Sequence, residues 1–126
     1  PTIDLEVAVL EGTSELVFNR GVGHIEGTVV PGDVGNVGIA GHRDGFFRGL
    51  KDIGVDDVLE LETLSGVERY RVSETFIVGP TDVHVLDPTD RPVITLVTCY
   101  PFYFVGSAPQ RFIVRAERAD GVLTLR

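Results

Sequence analysis

The sequence has 126 residues, 43% of them hydrophobic and 24% charged, enough to bury one sizeable core and consistent with a single domain over residues 1–126. A net charge of -8 argues against nucleic-acid binding, which draws on clustered Lys and Arg, and against adsorption to anionic membrane surfaces through a basic patch. No apolar run approaches the roughly 18 residues of a membrane span, and one cysteine excludes an internal disulfide.

Taken in order, Ile3 to Leu10 alternates as a strand with one buried face. Thr13 or Ser14 is placed to cap a short helix ending near Arg20, although Val17 and Phe18 fit a strand equally well. Gly21, Gly23, Gly27, Pro31, Gly32 and Gly35 read as a loop-rich passage. Asn36 to His42 is a short strand whose small residues permit close backbone approach. Asp44 to Leu50 reads as a turn or one helical turn. Val58–Thr63 and Val67–Val78 alternate on either side of Leu64-Ser65-Gly66, a hairpin signal. Thr81 to Leu86 is ambiguous, and Asp87-Pro88-Thr89-Asp90 is a turn. Val93–Cys99, Gln110–Glu117 and Val122–Leu125 complete the chain as strands, the last two joined through Asp120-Gly121. Short strands at this spacing predict an all-β sandwich or barrel.

The chemistry-bearing stretch is Val93 to Val114. Thr95-Leu96-Val97-Thr98-Cys99 suits a strand buried on both faces, and Tyr100-Pro101 ends it because proline has no N–H for the ladder. A thiol at the tip of a stiff strand, beside a long Pro/Gly loop, can be held firmly and still meet a substrate. As a type, however, free cysteine is most often a small buried hydrophobe. A nucleophilic thiol needs a cation nearby, and His42 and Arg111 are the candidates. His42 follows an apolar strand between glycines and could exchange a proton with thiol and leaving amine. Arg111 would offer fixed N–H donors to a carbonyl or a developing oxyanion. The bland alternatives are an exposed strand-end histidine and a surface arginine. Asp44 could orient His42 or simply fix the turn. His24 and His84 with Cys99 show no CxxC, HxH or HExxH spacing, so a metal site is not expected.

These residues resemble the sortase family of cysteine transpeptidases. Thr95-Leu96-Val97-Thr98-Cys99 matches the family's TLxTC signature around its nucleophile, with Arg111 and His42 in corresponding places. Gly23-His24-Ile25-Glu26-Gly27-Thr28, Ile39-Ala40-Gly41-His42-Arg43-Asp44, Phe46-Phe47-Arg48, Cys99-Tyr100-Pro101-Phe102 and Ala108-Pro109-Gln110-Arg111-Phe112 look like the class D and E branches. The likeness runs from about Leu5 to Arg118; Gly45 and Ser107 depart from it, where many relatives carry Thr and Pro. It implies a closed eight-stranded β-barrel with one or two short helices. It also implies that Cys99 attacks a backbone carbonyl in a C-terminal sorting motif of a secreted protein, forming a thioacyl intermediate. His42 then serves as acid and base, and Arg111 polarises the carbonyl. Thr98, Tyr100 and Asp44 are the implied substrate-binding residues, and no metal or cofactor is implied. The implied partners are the sorting-signal peptide and an amine acceptor, either cell-wall peptide or pilin lysine. With Pro1 first and no methionine, the chain reads as a fragment, and the resemblance implies an N-terminal membrane anchor before Pro1 and a place outside the cytoplasm. The alternatives are a thiol peptidase that releases its product to water and a peptide-binding module without turnover.

Overall fold

Backbone pairing gathers the alternating segments into one curled sheet. The structure, a computed structural model, describes residues 9–12, 21–30, 33–42, 52–63, 66–79, 81–100 and 110–118, with main chain only for Thr63, Cys99 and Tyr100. Among these residues seven strands form: β1 (Val9–Glu11), β2 (Val22–His24), β3 (Asn36–Ala40), β4 (Val58–Thr63), β5 (Gly66–Val78), β6 (Val93–Tyr100) and β7 (Gln110–Arg118). Their order is β1-β2-β3-β6-β7-β5-β4. The β1/β2 and β3/β6 pairs are parallel and the others antiparallel. The all-β class is as expected. The expected first part of the leading strand, the helix near 13–20, the turn at 44–50 and the strand at 122–125 lie outside the described residues.

Two segments differ from the sequence reading. Val22–His24, expected as loop, is a buried strand; three residues with glycine at the centre are too few to display a period. The ambiguous stretch Thr81 to Leu86 contains a 3-10 turn at Val83–Leu86. Elsewhere the limits move slightly. β3 stops at Ala40, and β7 runs on to Arg118.

One face of the sheet turns inward onto Val37, Ile39, Ile94, Leu96, Val114 and Ala116, with Val22, Tyr70, Val72 and Leu61 drawn from the flanking strands. The long strand β5 serves both faces through a bulge between Val72 and Glu74. An extra residue, Ser73, resets the two-residue alternation, so Tyr70 and Val72 point inward whereas Glu74, Phe76 and Val78 sit on the outer face.

At the β1 side, His24 is buried and uses both ring nitrogens. Nδ1 lies 3.0 Å from Glu11 Oε1 and Nε2 2.8 Å from the Val29 carbonyl oxygen. Thr28 Oγ1 lies 3.0 Å from Nε2, donates to the Ile25 carbonyl and accepts from the Gly38 N–H. The 25–29 turn is thereby tied to β1, β2 and β3. Glu11 is 70% exposed, so its pairing contributes little; the half-buried carbonyl and hydroxyl around the imidazole matter more.

On the outer face the same turn meets the 3-10 segment above Gly38. A Cβ at Gly38 would stand 2.9 Å from Thr28 Cγ2, 3.1 Å from Leu86 Cδ2 and 3.2 Å from Ile25 Cδ1. Glycine is required there by close approach, not by backbone angle.

Two outcomes follow in denaturant unfolding. His24→Ala should cost about 2–4 kcal/mol by leaving a cavity and orphaned half-buried groups, whereas Glu11→Gln should cost below about 1 kcal/mol; equal costs would contradict this account. Gly38→Ala should cost about 1–3 kcal/mol through overpacking, and an unchanged midpoint would show that the three neighbours yield freely.

Candidate functional site

Alternation along β6 divides its residues between the two faces. Ile94 and Leu96 pair with Ala116 and Val114 over the core, and Thr98 pairs with Phe112 on that same inner face. Val93, Thr95, Val97 and position 99 therefore belong to the outer face, opposite Glu117, Arg115, Ile113 and Arg111. Val85, Val93 and Ile113 are buried yet stand apart from the inner cluster, which marks a second layer on the outer face.

The β3/β6 ladder adds the third position. Ala40 pairs with Val97, and the Gly41 N–H carries the ladder one step further by donating to the Val97 carbonyl at 3.1 Å. Two residues beyond that pair stand His42 on one chain segment and Cys99 on the other, while Cys99 is directly opposite Arg111. Cys99 and Arg111 thus lie level on adjacent strands, and the β3/β6 register carried two residues past Ala40 sets His42 at the same level. Neighbouring strands are about 4.8 Å apart, so the row spans about 10 Å from first to last. This separation is within reach of an imidazole and a guanidinium acting on one group between them.

β3 and β6 both reach this level near their C-terminal ends, and β7 begins there. His42 and Arg111 are each half-buried. Arg111 Nη1 donates to the Gln110 carbonyl at 2.9 Å, which directs one nitrogen of the fork along the strand. Beside Arg111 on β5 is Val78, and the next row down is Ala40, Val97, Ile113 and Phe76. A cationic, imidazole-bearing row thus sits above an apolar one. Ile113 is itself covered, so the surface suited to a peptide substrate is the row holding a carbonyl, with side chains laid along the half-buried Ala40, Val97 and Phe76.

The other sequence-predicted residues are placed differently. Thr98 is 2% exposed on the inner face, and its Oγ1 has no hydrogen-bond partner among the described residues. Tyr100 belongs to β6, with only its main chain described, and Asp44, Gly45 and Ser107 lie outside the described residues. No group of three or more His, Cys, Asp or Glu side chains gathers to hold a metal among the described residues. No helix among them is long and apolar enough to cross a membrane.

Sequence reasoning missed a second outer-face cluster two rows below. Thr95 Oγ1 donates to Asn36 Oδ1 at 2.7 Å, and Asn36 Nδ2 donates to the carbonyls of Val85 and Asp87 at 2.9 and 3.0 Å. Arg115 Nη2 donates to the same Val85 oxygen. A period of two already puts Arg111 and Arg115 on one face; the partner of Arg115 depends on long-range pairing that the sequence does not display.

Comparison with known proteins identifies the family. Residues 1–119 match the family model described as the sortase domain. Sortase D of Bacillus subtilis is 34% identical over 119 residues, covering 94% of this chain and 60% of that protein, so the chain spans less than two thirds of the relative's length. Among solved structures, a Clostridium perfringens sortase D5 transpeptidase has a TM-score of 0.78 at 33% identity, covering 88% of this chain and 69% of the other. Sortase A from Corynebacterium diphtheriae has a TM-score of 0.85 at 30% identity, covering 93% and 56%. With a family model spanning nearly the whole sequence and the same fold in these structures, the chain belongs to the sortase family.

Proposed function

We propose that this protein is a cysteine transpeptidase of the cell envelope, acting through Cys99, His42 and Arg111. The observation that carries the reading is the shared level of these three positions on adjacent strands. The Cys99 thiolate attacks a backbone carbonyl in a C-terminal sorting motif of a secreted protein. A C–S bond forms, the C–N bond breaks, and His42 gives its proton to the departing amine. The acyl part stays on sulfur as a thioacyl intermediate. A second amine, from cell-wall peptide or a pilin lysine, then attacks; His42 takes its proton, and the thiolate leaves. Arg111 holds the motif and stabilises the negative charge that develops on the attacked oxygen.

Thr98, Tyr100 and Asp44 complete the proposed site as substrate-binding residues. Because Thr98 turns its side chain inward, its contribution would come through its main chain. The proposal includes closure of the curled sheet by an eighth strand into a single barrel domain. It also includes a membrane anchor that holds the enzyme outside the cytoplasm.

Cys99→Ala should reduce thioacyl formation by about a thousandfold or more while leaving the far-UV circular dichroism spectrum unchanged. Mass spectrometry of the adduct with a panel of C-terminal sorting peptides checks this, and full cleavage by the variant would eliminate the proposal. Arg111→Lys should lower kcat/KM by about a hundredfold or more, because an ammonium does not reproduce the planar set of donors. Near-normal activity of that variant would remove Arg111 from the mechanism. Adding a peptide amine should divert product from free acid to amide; free acid alone would mark a hydrolase. Peptide affinity with no alkylation of the parent protein would mark a binding module.

A further inference from the structure

We propose that Arg115, together with Asn36, is a positioning residue: it holds the 3-10 turn Val83–Leu86 against the outer face, so that the turn walls the strip leading to the His42, Cys99 and Arg111 row. The proposal rests on the reading of that row as the peptide site.

The turn has little to hold it in place by itself. It is four residues long, and 3-10 geometry gives poor internal hydrogen bonds. Its N-cap residue, Asp82, makes no side-chain cap, because the carboxylate accepts from the Gly79 N–H instead. Val83 is 68% exposed, and only Val85 is buried. External bonds therefore decide where the turn sits.

Those bonds converge on two main-chain oxygens. Val85 O accepts from both Asn36 Nδ2 and Arg115 Nη2, which occupies both of its lone pairs. Asp87 O accepts the second proton of the Asn36 amide, and Thr95 fixes that amide from the other side. Asn36 is 1% exposed with both donors used, so its orientation has no alternative that keeps three bonds.

Stability alone does not account for an arginine at this position. Its Nε is buried without a hydrogen-bond partner among the described residues, a cost that methionine or leucine of similar bulk would not carry. What arginine adds is reach from β7 to the turn. The Leu86 side chain is thereby seated against Gly38, two rows below the site row.

The distance makes the inference specific. Two rows are four residues along the strand, roughly 13 Å at about 3.3 Å per residue. An extended acyl arm must run about four residues from the attacked carbonyl to reach the turn. Shorter acyl arms end on the half-buried Ala40 and Val97 and do not meet it.

The test uses the best-turned-over sorting peptide from the mass-spectrometric panel, full length and cut to two residues on its acyl side, with Arg115→Met, Arg115→Lys and Asn36→Ala. Amide exchange at Asp87, whose N–H donates to the His84 carbonyl, reports the turn without reference to activity. Arg115→Met and Asn36→Ala should speed exchange there about tenfold while the β6/β7 ladder keeps its protection. KM for the full-length peptide should rise about tenfold with kcat within about twofold. The cut peptide should show no change, and Arg115→Lys, which retains a donor, should stay within about threefold of the parent. Unchanged exchange at Asp87 would refute the anchor. Equal rises in KM for the long and cut peptides, or a fall in kcat alone, would refute the wall. Failure of the parent to form a thioacyl adduct would sink the reading of the site, and the positioning role with it, while exchange would still report whether the anchor holds.

Discussion

Strand β6 takes β3 alongside it in parallel and β7 in the opposite direction, and those two ladders decide which residues share a face. Their register is what brings positions 42, 99 and 111 level. A slip of one residue in either ladder would exchange the faces of that strand. The core resists such a slip. A slipped β3 would turn out Val37 and Ile39 and a slipped β7 Val114 and Ala116, and each large apolar side chain lost from burial costs about 1.5–3 kcal/mol. Two such losses are a large part of the whole stability of a domain this size, about 5–15 kcal/mol. The inner face therefore specifies the outer one.

The outer face uses the same alternation for different purposes in successive rows. Arg111 and Arg115 are four residues apart on β7, with Ile113 between them on the same face. One arginine stands opposite the proposed nucleophile; the other reaches a main-chain carbonyl of the 3-10 turn. Ser73 makes a comparable division on β5. Without the bulge, Tyr70 and Phe76 would lie on one face; with it, Tyr70 enters the core and Phe76 joins the apolar row beneath the site.

Much of this was open to a reader of the sequence, and the rest was hidden for definite reasons. The strands β4 to β7 show themselves by alternation and β-branched content, and Cys99 at a strand end before Pro101 is a local signal. His42 and Arg111 were legible as types in suggestive places and through a family resemblance; their common level was not. It depends on a parallel pairing between β3 and β6, far apart in sequence, and pairing partners leave no trace in the period of either strand. Val22–His24 escaped because its glycine reads as loop. Asn36 and Arg115 escaped because each looks ordinary alone, a polar residue opening a strand and a charge among charges.

The two faces differ in what they tolerate, and that difference bears on function. Inward, the described residues are packed with apolar side chains, with Thr98 as a polar exception beside Cys99. Outward, Asn36, Thr95 and Arg115 are drawn into a cover that apolar residues could have formed at lower cost. Apolar contacts are non-directional and would allow the 83–87 turn to settle at several heights; a carbonyl held by two donors has one position. Where local rules of burial are broken in favour of fixed geometry, the requirement is usually for placement and not for stability. Here the segment so placed lies over the same sheet face as positions 42, 99 and 111, so the polar outer cluster and the proposed site make one design: a register set from within, and a wall set from without.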